Sequence, residues 1–155
     1  MLGIFFDADG TLWSHPKSEE RYVDESLFEL FLYLNSNGID YFIISGTTNE
    51  LISKRLKEHG INCIDAPRVI ALADGGIGKK AKIKELILQK KFDKSIWVFD
   101  KLKDYKRVED LERVKSFMIQ REHNVEDVSK AKEVNEINIV SSLKDILNFI
   151  KEKEI

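Results

Sequence analysis

Residues 5–13 read FFDADGTLW, a segment in which apolar side chains give way to acidic ones. The run Leu2–Phe6 is short, apolar and rich in Phe, which predicts a buried strand that stops at Asp7. Asp7 and Asp9 are one residue apart, so both carboxylates can point into one site beyond the strand. Gly10 permits a turn that a side chain would block. A surface Asp–Gly turn is common after a strand, so the segment needs support from the rest of the chain.

The rest of the chain alternates between predicted strands and helices. Apolar runs and helical periodicity place further strands at residues 41–44, 69–72, 95–99, 115–119 and 137–140, and helices at 24–37, 49–59, 80–91, 104–113 and after 141–142. This alternation is typical of a parallel sheet covered on both faces. We therefore predict an α/β fold with a Rossmann-like, doubly wound, mostly parallel sheet.

Polar and small residues follow several of the predicted strands. Ligands of such sheets bind at the carboxyl ends of the strands, near the point where the strand order reverses. The residues at that edge are Asp7, Asp9, Ser45, Gly46, Thr47, Asp100 and Asp104. Two close carboxylates need a cation or a shared proton, and carboxylate oxygens favour Mg²⁺ over softer metals. The pair of acids after the first strand therefore predicts a magnesium site.

The composition is that of a globular domain. The chain has 155 residues, which predicts one domain over 1–155, and its net charge of −2 creates no field that attracts nucleic acid or an anionic membrane. A single cysteine, Cys63, excludes a disulfide framework and a cysteine zinc site. No apolar run approaches the ~20 residues that span a bilayer. Because Leu2–Phe6 leads straight into acids, unlike a signal peptide, we expect a cytoplasmic protein.

Four segments together resemble the motifs of the haloacid-dehalogenase-like (HAD) phosphatases. FFDADGT resembles the first motif, and Ser45 at the end of YFIIS resembles the second. A lysine at the start of KKAKIKELI resembles the third motif, and Asp100 and Asp104 in WVFDKLKD resemble the fourth. The resemblance follows the family's motif order and extends from Gly3 to the last helix.

The resemblance implies a Mg²⁺-dependent phosphatase that hydrolyses a phosphate monoester through an aspartyl phosphate. It implies Asp7 as the nucleophile and Asp9 as the general acid and base. Members of the family with another residue in place of the second acid do different chemistry, so Asp9 favours a phosphatase.

The resemblance also assigns the binding residues. Mg²⁺ would be held by the first aspartate, the backbone carbonyl of the second, and Asp100. Asp104 would act through water or orient the lysine. Ser45, the amide of Gly46, and Thr47 would bind the phosphoryl group.

The third-motif lysine has two candidates, Lys79 and Lys80. We favour Lys80 as the catalytic and substrate-binding lysine, because it begins the better helical register, with Ile83, Leu86 and Ile87 facing inward. The preceding GGIG segment is predicted to be a flexible loop that delivers this lysine.

Two alternative functions remain open. A receiver domain of a signalling protein also combines clustered aspartates, Mg²⁺, Ser or Thr and Lys, but its phosphorylated Asp follows a middle strand, where this chain has Ser45. A non-catalytic HAD-fold binding domain is the second alternative, because Phe99 stands where many relatives have Gly or Asp.

The spacing of the motifs indicates a capless member of the family. Each segment between the first three motifs has room for a helix and a strand, but not for a separate cap domain. The segment DGTLW and the total length most resemble the small magnesium-dependent phosphatases. An open site needs cover from a large substrate or from a neighbouring subunit. We therefore expect a phosphorylated small molecule or macromolecule as substrate and consider a homo-oligomer, with no membrane partner.

Overall fold

The computed structural model describes residues 1–154, which form one parallel six-stranded sheet with helices on both faces. The strands are β1 (Leu2–Phe6), β2 (Asp40–Ser45), β3 (Val69–Ala71), β4 (Lys94–Phe99), β5 (Val114–Ile119) and β6 (Ile137–Val140). The helices are α1 (Leu27–Ser36), α2 (Asn49–Glu58), α3 (Lys79–Lys90), α4 (Leu102–Val108), α5 (Val125–Ala131) and α6 (Leu143–Glu154). Short 3₁₀ turns at Ala66–Arg68 and Glu122–Asn124 precede β3 and α5. The predicted Rossmann-like α/β fold is confirmed.

The core has two layers, one on each face of the sheet. Ile4 and Phe6 of β1 face a layer that includes residues of α1, α2 and α6. Phe5, between them, faces the opposite layer, which includes residues of α3, α4 and α5. A strand covered on both faces buries every side chain, which explains why β1 is continuously apolar in the sequence.

The strand order β3-β2-β1-β4-β5-β6 reverses direction beside β1. The chain first builds outward from β1 to β3, and then returns to the other side of β1 to build outward from β4 to β6. In β1 and β4, Phe6 is paired with Val98, and the Asp7 amide donates a hydrogen bond to the Val98 carbonyl at 2.9 Å. The crevice at this reversal therefore opens directly beyond Phe6 and Phe99, which is where ligands bind in sheets of this kind.

Some helix boundaries differ from the prediction. Helix α3 begins one residue earlier than predicted, at Lys79, and α4 is shorter and lies nearer to β4. Helix α5 was not predicted. Only Val128 and Ala131 of α5 are buried, so its apolar periodicity is too weak to stand out in a charged segment.

A loop between β1 and α1, residues 13–23, closes on itself at its base. The Ser14 amide donates to the Tyr22 carbonyl at 2.8 Å, and the Tyr22 amide donates to the Ser14 hydroxyl at 3.1 Å. Most of the side chains between these two residues are exposed. We call residues 13–23 the flap. No second domain is inserted within residues 1–154, in agreement with the capless prediction.

The helices of this structure are too short or too polar to cross a lipid bilayer, as judged over residues 1–154.

Candidate active site

Three buried carboxylates meet beyond the ends of β1 and β4. One oxygen atom from each of Asp7, Asp100 and Asp104 lies within 4.8 Å of the other two. Their side chains belong to residues only 8%, 0% and 2% exposed. Carboxylates that lie this close together and are this deeply buried are stable only with a cation or a proton between them. The sequence-predicted fourth motif is thus brought together with the first.

Lys79 supplies one such cation. Its Nζ donates to Asp7 Oδ1 at 2.7 Å and to Asp104 Oδ1 at 3.3 Å, and the residue is buried. Burial alone would lower the pKa of Lys79, but the two neighbouring carboxylates outweigh burial and raise it. The lysine is therefore charged at neutral pH. Arg107 reaches the same Asp104 oxygen at 3.1 Å and gives this acid a second cationic partner.

The sequence-based preference for Lys80 is corrected by this placement. Lys80 lies outside the site, where its Nζ donates to the exposed Asp110 at 2.5 Å. Lys79, Ile83 and Leu86 are the buried residues of α3 and follow one another at intervals of four and three residues, which places them on one helical face. The spacing of Lys79 from Ile83 and Leu86 is visible in the sequence and identifies Lys79 as the buried lysine.

The environment of Asp7 alters its protonation. Burial raises the pKa of Asp7 from 3.8 to about 6; Lys79 opposes this rise and Asp100 adds to it. In the folded, metal-free protein Asp7 therefore binds a proton at pH values where the unfolded chain has lost it. By linkage, the stability contributed by this group is greatest below pH about 4 and is lost as the pH rises through about 6, by up to about 3 kcal/mol.

This shift predicts a pH dependence of metal binding. Because a protonated carboxyl is a poor metal ligand, Mg²⁺ should raise the melting temperature more at pH about 7.5 than at pH about 5. Thermal unfolding at both pH values, with and without Mg²⁺, measures the difference. In Asp7→Asn the increment should be small at both. An equal increment in the wild-type protein at the two pH values would show that Asp7 does not bind the metal.

The donor set of the cluster fits Mg²⁺. All the candidate ligands are carboxylate oxygens, the atoms that hard divalent cations prefer. Gly10 lets the backbone come close to them: it has a φ of +81°, and a Cβ at this position would lie 2.2 Å from Asp100 Oδ2. Asp7 and Asp100 would hold the ion, with Asp104 beside them.

Asp9 lies at the cleft, but its carboxylate stands outside the three-acid cluster. One oxygen accepts a hydrogen bond from Trp13 Nε1 at 2.7 Å, and the other is paired with Arg55. Only its backbone could therefore join the metal ligands in this arrangement, which is the role the resemblance implies. Its side chain lines the cleft.

Ser45 ends β2, Gly46 and Thr47 follow it, and the three residues form the second wall of the cleft. The Ser45 hydroxyl accepts a hydrogen bond from the Thr47 amide at 3.2 Å, which fixes the turn. A Cβ at Gly46 would lie 2.4 Å from the amide nitrogen of Gly76, so only glycine allows the loop before α3 to approach. This close approach brings Lys79 to the site.

Sequence reasoning missed two residues, His123 and Asn124. His123 Nε2 lies 2.6 Å from Asp100 Oδ2, and the Asn124 amide donates to the carbonyls of Asp100 and Ile119, both at 2.8 Å. They fix the position of Asp100 from the far side. Both belong to the polar segment before the unpredicted α5, where nothing in the sequence distinguishes them from surface residues.

Phe99, which departs from the family pattern, is a core residue. Its ring is fully buried and lies near those of Trp97 and Tyr105, with centroids 6.0 Å and 6.3 Å away. It does not line the cleft. The departure therefore changes the packing behind the site and leaves its wall unaltered.

The cleft beside Asp7 and Lys79 has a volume of about 310 Å³. A larger cleft, of about 850 Å³, lies between the flap and the β5–α5 loop, but it contains none of the three clustered carboxylates. The smaller cleft is therefore the candidate active site, and its size suits a small metabolite.

Comparison with known proteins gives a fold but no close relative. No family model matches the chain, and no functionally curated protein matches it. Among solved structures, the D,D-heptose 1,7-bisphosphate phosphatase from B. bronchiseptica, complexed with magnesium and phosphate, aligns with a TM-score of 0.75 at 10% identity, over 99% of both chains.

Two further solved structures agree with this likeness. The 3-deoxy-D-manno-octulosonate 8-phosphate phosphatase from Moraxella catarrhalis aligns with a TM-score of 0.60 at 17% identity, over 97% of this chain and 85% of that one. A HAD-superfamily hydrolase from Ehrlichia chaffeensis aligns with a TM-score of 0.59 at 15% identity, over 88% of this chain and 62% of that one. At these identities the likeness establishes architecture: the chain has the α/β fold of these phosphatases and of the HAD-superfamily hydrolase.

Proposed function

We propose that this chain is a Mg²⁺-dependent phosphatase that hydrolyses a phosphate monoester through an aspartyl phosphate on Asp7. The observation that carries the proposal is the position of Asp7, which is held by Lys79 and faces a metal-binding set of acids at the reversal of the sheet. The solved structures of the same fold that contain magnesium and phosphate support it.

Asp7 is the nucleophile in this proposal. Lys79 binds its Oδ1, and the Thr11 hydroxyl lies 3.4 Å from its Oδ2, so the carboxylate is fixed in one orientation. With a pKa of about 6, Asp7 is mainly ionised at neutral pH, the form that attacks phosphorus. An Asp7 oxygen forms a bond to phosphorus as the bond to the ester oxygen breaks.

In this proposal Asp9 acts first as a general acid and then as a general base. Its carboxyl gives a proton to the departing ester oxygen, and its carboxylate then takes one from the water that attacks the aspartyl phosphate. Trp13 and Arg55 fix this side chain. Asp9 must therefore exchange one of these contacts for the leaving oxygen when substrate binds.

The negative charge of the phosphoryl group is balanced by residues that line the cleft. Ser45, Gly46 and Thr47 line the space beside Asp7, where the Ser45 hydroxyl and the Gly46 amide can donate hydrogen bonds to phosphoryl oxygens. Lys79 offsets the negative charge on the opposite side. When bound, Mg²⁺ would neutralise the charge on the phosphoryl oxygens.

The receiver-domain alternative does not fit the strand order. Receiver domains have five strands in the order 2-1-3-4-5, with one strand on the short side of the first strand, whereas this sheet has two strands, β2 and β3, on that side of β1. The non-catalytic alternative is decided by experiment.

The proposal predicts that the protein hydrolyses an aryl phosphate such as p-nitrophenyl phosphate only when a divalent cation is present. EDTA should remove the activity, and excess Mg²⁺ should restore it, because the acid cluster otherwise repels the substrate dianion. Acid-quenched protein should carry a phosphoryl group on the peptide that contains Asp7. Activity that survives thorough chelation would contradict the metal assignment. A folded protein that binds Mg²⁺ but hydrolyses no phosphate ester would establish the non-catalytic alternative.

A further inference from the structure

The candidate active site contains more positive charge than one phosphoryl group requires. Five cationic side chains line the cleft: Arg55, Lys79, Lys101, Lys103 and Arg107. The first, second and last of these form ion pairs with carboxylates of the same cleft. Lys101 and Lys103 take part in no ion pair among the side chains that the structure describes. We call these two residues the lysine pair.

The lysine pair stands next to the buried acid cluster in the amino-acid sequence. Lys101 follows Asp100 directly, and Lys103 precedes Asp104, so both lie between two members of the buried acid cluster. The lysine pair is therefore adjacent to the place where the reacting phosphoryl group binds. It lies at the opening of the cleft, because Lys101 is half-buried and Lys103 is exposed.

The flap approaches the lysine pair from the other side. His15 lines the same cleft, and burial, followed by the charge of Lys101, lowers its pKa. The His15 ring is therefore neutral at pH 7. Its Nδ1 accepts a hydrogen bond from the Lys17 amide at 3.1 Å, which leaves the proton on Nε2 as a donor. The flap thus adds a neutral donor, and no counter-charge, to this end of the cleft.

A surface lysine on α4, the helix that contains Lys103, serves as a comparison for the lysine pair. Lys106 belongs to α4, is exposed and lies outside the cleft. Lys101 and Lys103 differ from Lys106 because they line the cleft and still pair with no carboxylate among the described side chains. An anionic group of a bound ligand is the counter-charge that this end of the cleft can accept.

We propose that Lys101 and Lys103 form a subsite for a second anionic group, a carboxylate or a phosphate, on the substrate of this site. This inference rests on the proposed phosphatase function and narrows its substrate to small phosphorylated molecules that carry another negative charge. The volume of about 310 Å³ is sufficient for such a metabolite. The second anion remains bound to the lysine pair, and the phosphate next to Asp7 is the one that is hydrolysed.

The experiment compares alkyl phosphates of matched chain length that end in a hydroxyl group, a carboxylate or a second phosphate. In the wild-type protein, kcat/KM for at least one of the charged esters should exceed that for the hydroxyl ester by about tenfold or more. The carboxylate and phosphate arms show which anion is preferred. Raising the ionic strength from about 0.01 M to about 1 M should reduce the ratio, because salt screens the exposed lysine.

Variants test which residues produce the preference. In the double variant Lys101→Gln, Lys103→Gln the ratio should fall close to one, through KM, whereas Lys106→Gln should keep the wild-type ratio. Melting temperatures establish that each variant is folded, and the single variants are measured if the double variant is not. A wild-type ratio near one, or a ratio that the variants of the lysine pair retain, overturns the subsite but leaves the phosphatase intact. If none of the esters, including p-nitrophenyl phosphate, is hydrolysed, the proposed function fails and the subsite fails with it.

Discussion

Replacing Asp7 with Asn should reduce the turnover of p-nitrophenyl phosphate by at least about 10⁴-fold, the scale seen when a nucleophile is removed. An amide is a far weaker nucleophile toward phosphorus, and it carries no charge for the metal. The structure adds a reason specific to this site, since Lys79 Nζ donates a hydrogen bond to Asp7 Oδ1 at 2.7 Å and so orients the attacking carboxylate. Steady-state rates at saturating Mg²⁺ measure the loss.

A matched control for this variant is Asp110→Asn. Asp110 is exposed, pairs with Lys80 and does not line the cleft, so the same chemical change there should leave the rate unaltered. If Asp7→Asn retained a rate near that of the wild-type protein, another residue would have to be the nucleophile. The acid-quench experiment on the variant would then reveal where the phosphoryl group is attached.

Lys79→Ala should lower both activity and stability. Loss of a charged group that stabilises the transition state costs about 10²- to 10³-fold in rate. The variant also leaves Asp7 and Asp104 without the cation that both contact, and removing one partner of a buried ion pair costs about 3–5 kcal/mol. Kinetics and urea unfolding without Mg²⁺ measure the two losses.

Lys80→Ala separates this effect from a general effect of removing a lysine from α3. Lys80 is the next residue, but its ammonium contacts an exposed aspartate at the surface. Its rate and urea midpoint should match those of the wild-type protein within error. A large loss of activity in Lys80→Ala, with Lys79→Ala active, would contradict the placement of the two lysines.

The central strand and the acids that follow it could be predicted from sequence because one physical cause determines both. A strand covered on both faces has to be apolar along its length, and the first polar residue marks its carboxyl end. The bounds of β1 therefore match the prediction, and Asp7 lies where the apolar run stops. Because β4 is the parallel neighbour of β1 in the sheet, the carboxyl ends of the two strands lie side by side and bring Asp100 to Asp7.

Features that depend on tertiary contacts could not be predicted from the sequence. Two adjacent lysines start the same helix, and a one-residue shift of its beginning exchanges the buried one for the exposed one. His123 and Asn124 become part of the site only because β5 ends beside β4, and their own segment resembles any charged surface loop. The pairing of Asp9 with Arg55 joins residues far apart in the chain and has no local signal.

The closed base of the flap has a consequence for how this fold can change over time. Ser14 and Tyr22 are already joined by two hydrogen bonds, and the chain between them is largely exposed. Extra residues inserted there would lengthen a loop whose ends are fixed, and the entropic cost of a longer loop rises only slowly with its length. The sheet and the acid cluster would be undisturbed. New specificity could therefore be acquired at this point by insertion of whole segments above the cleft, while the catalytic machinery beneath stays constant.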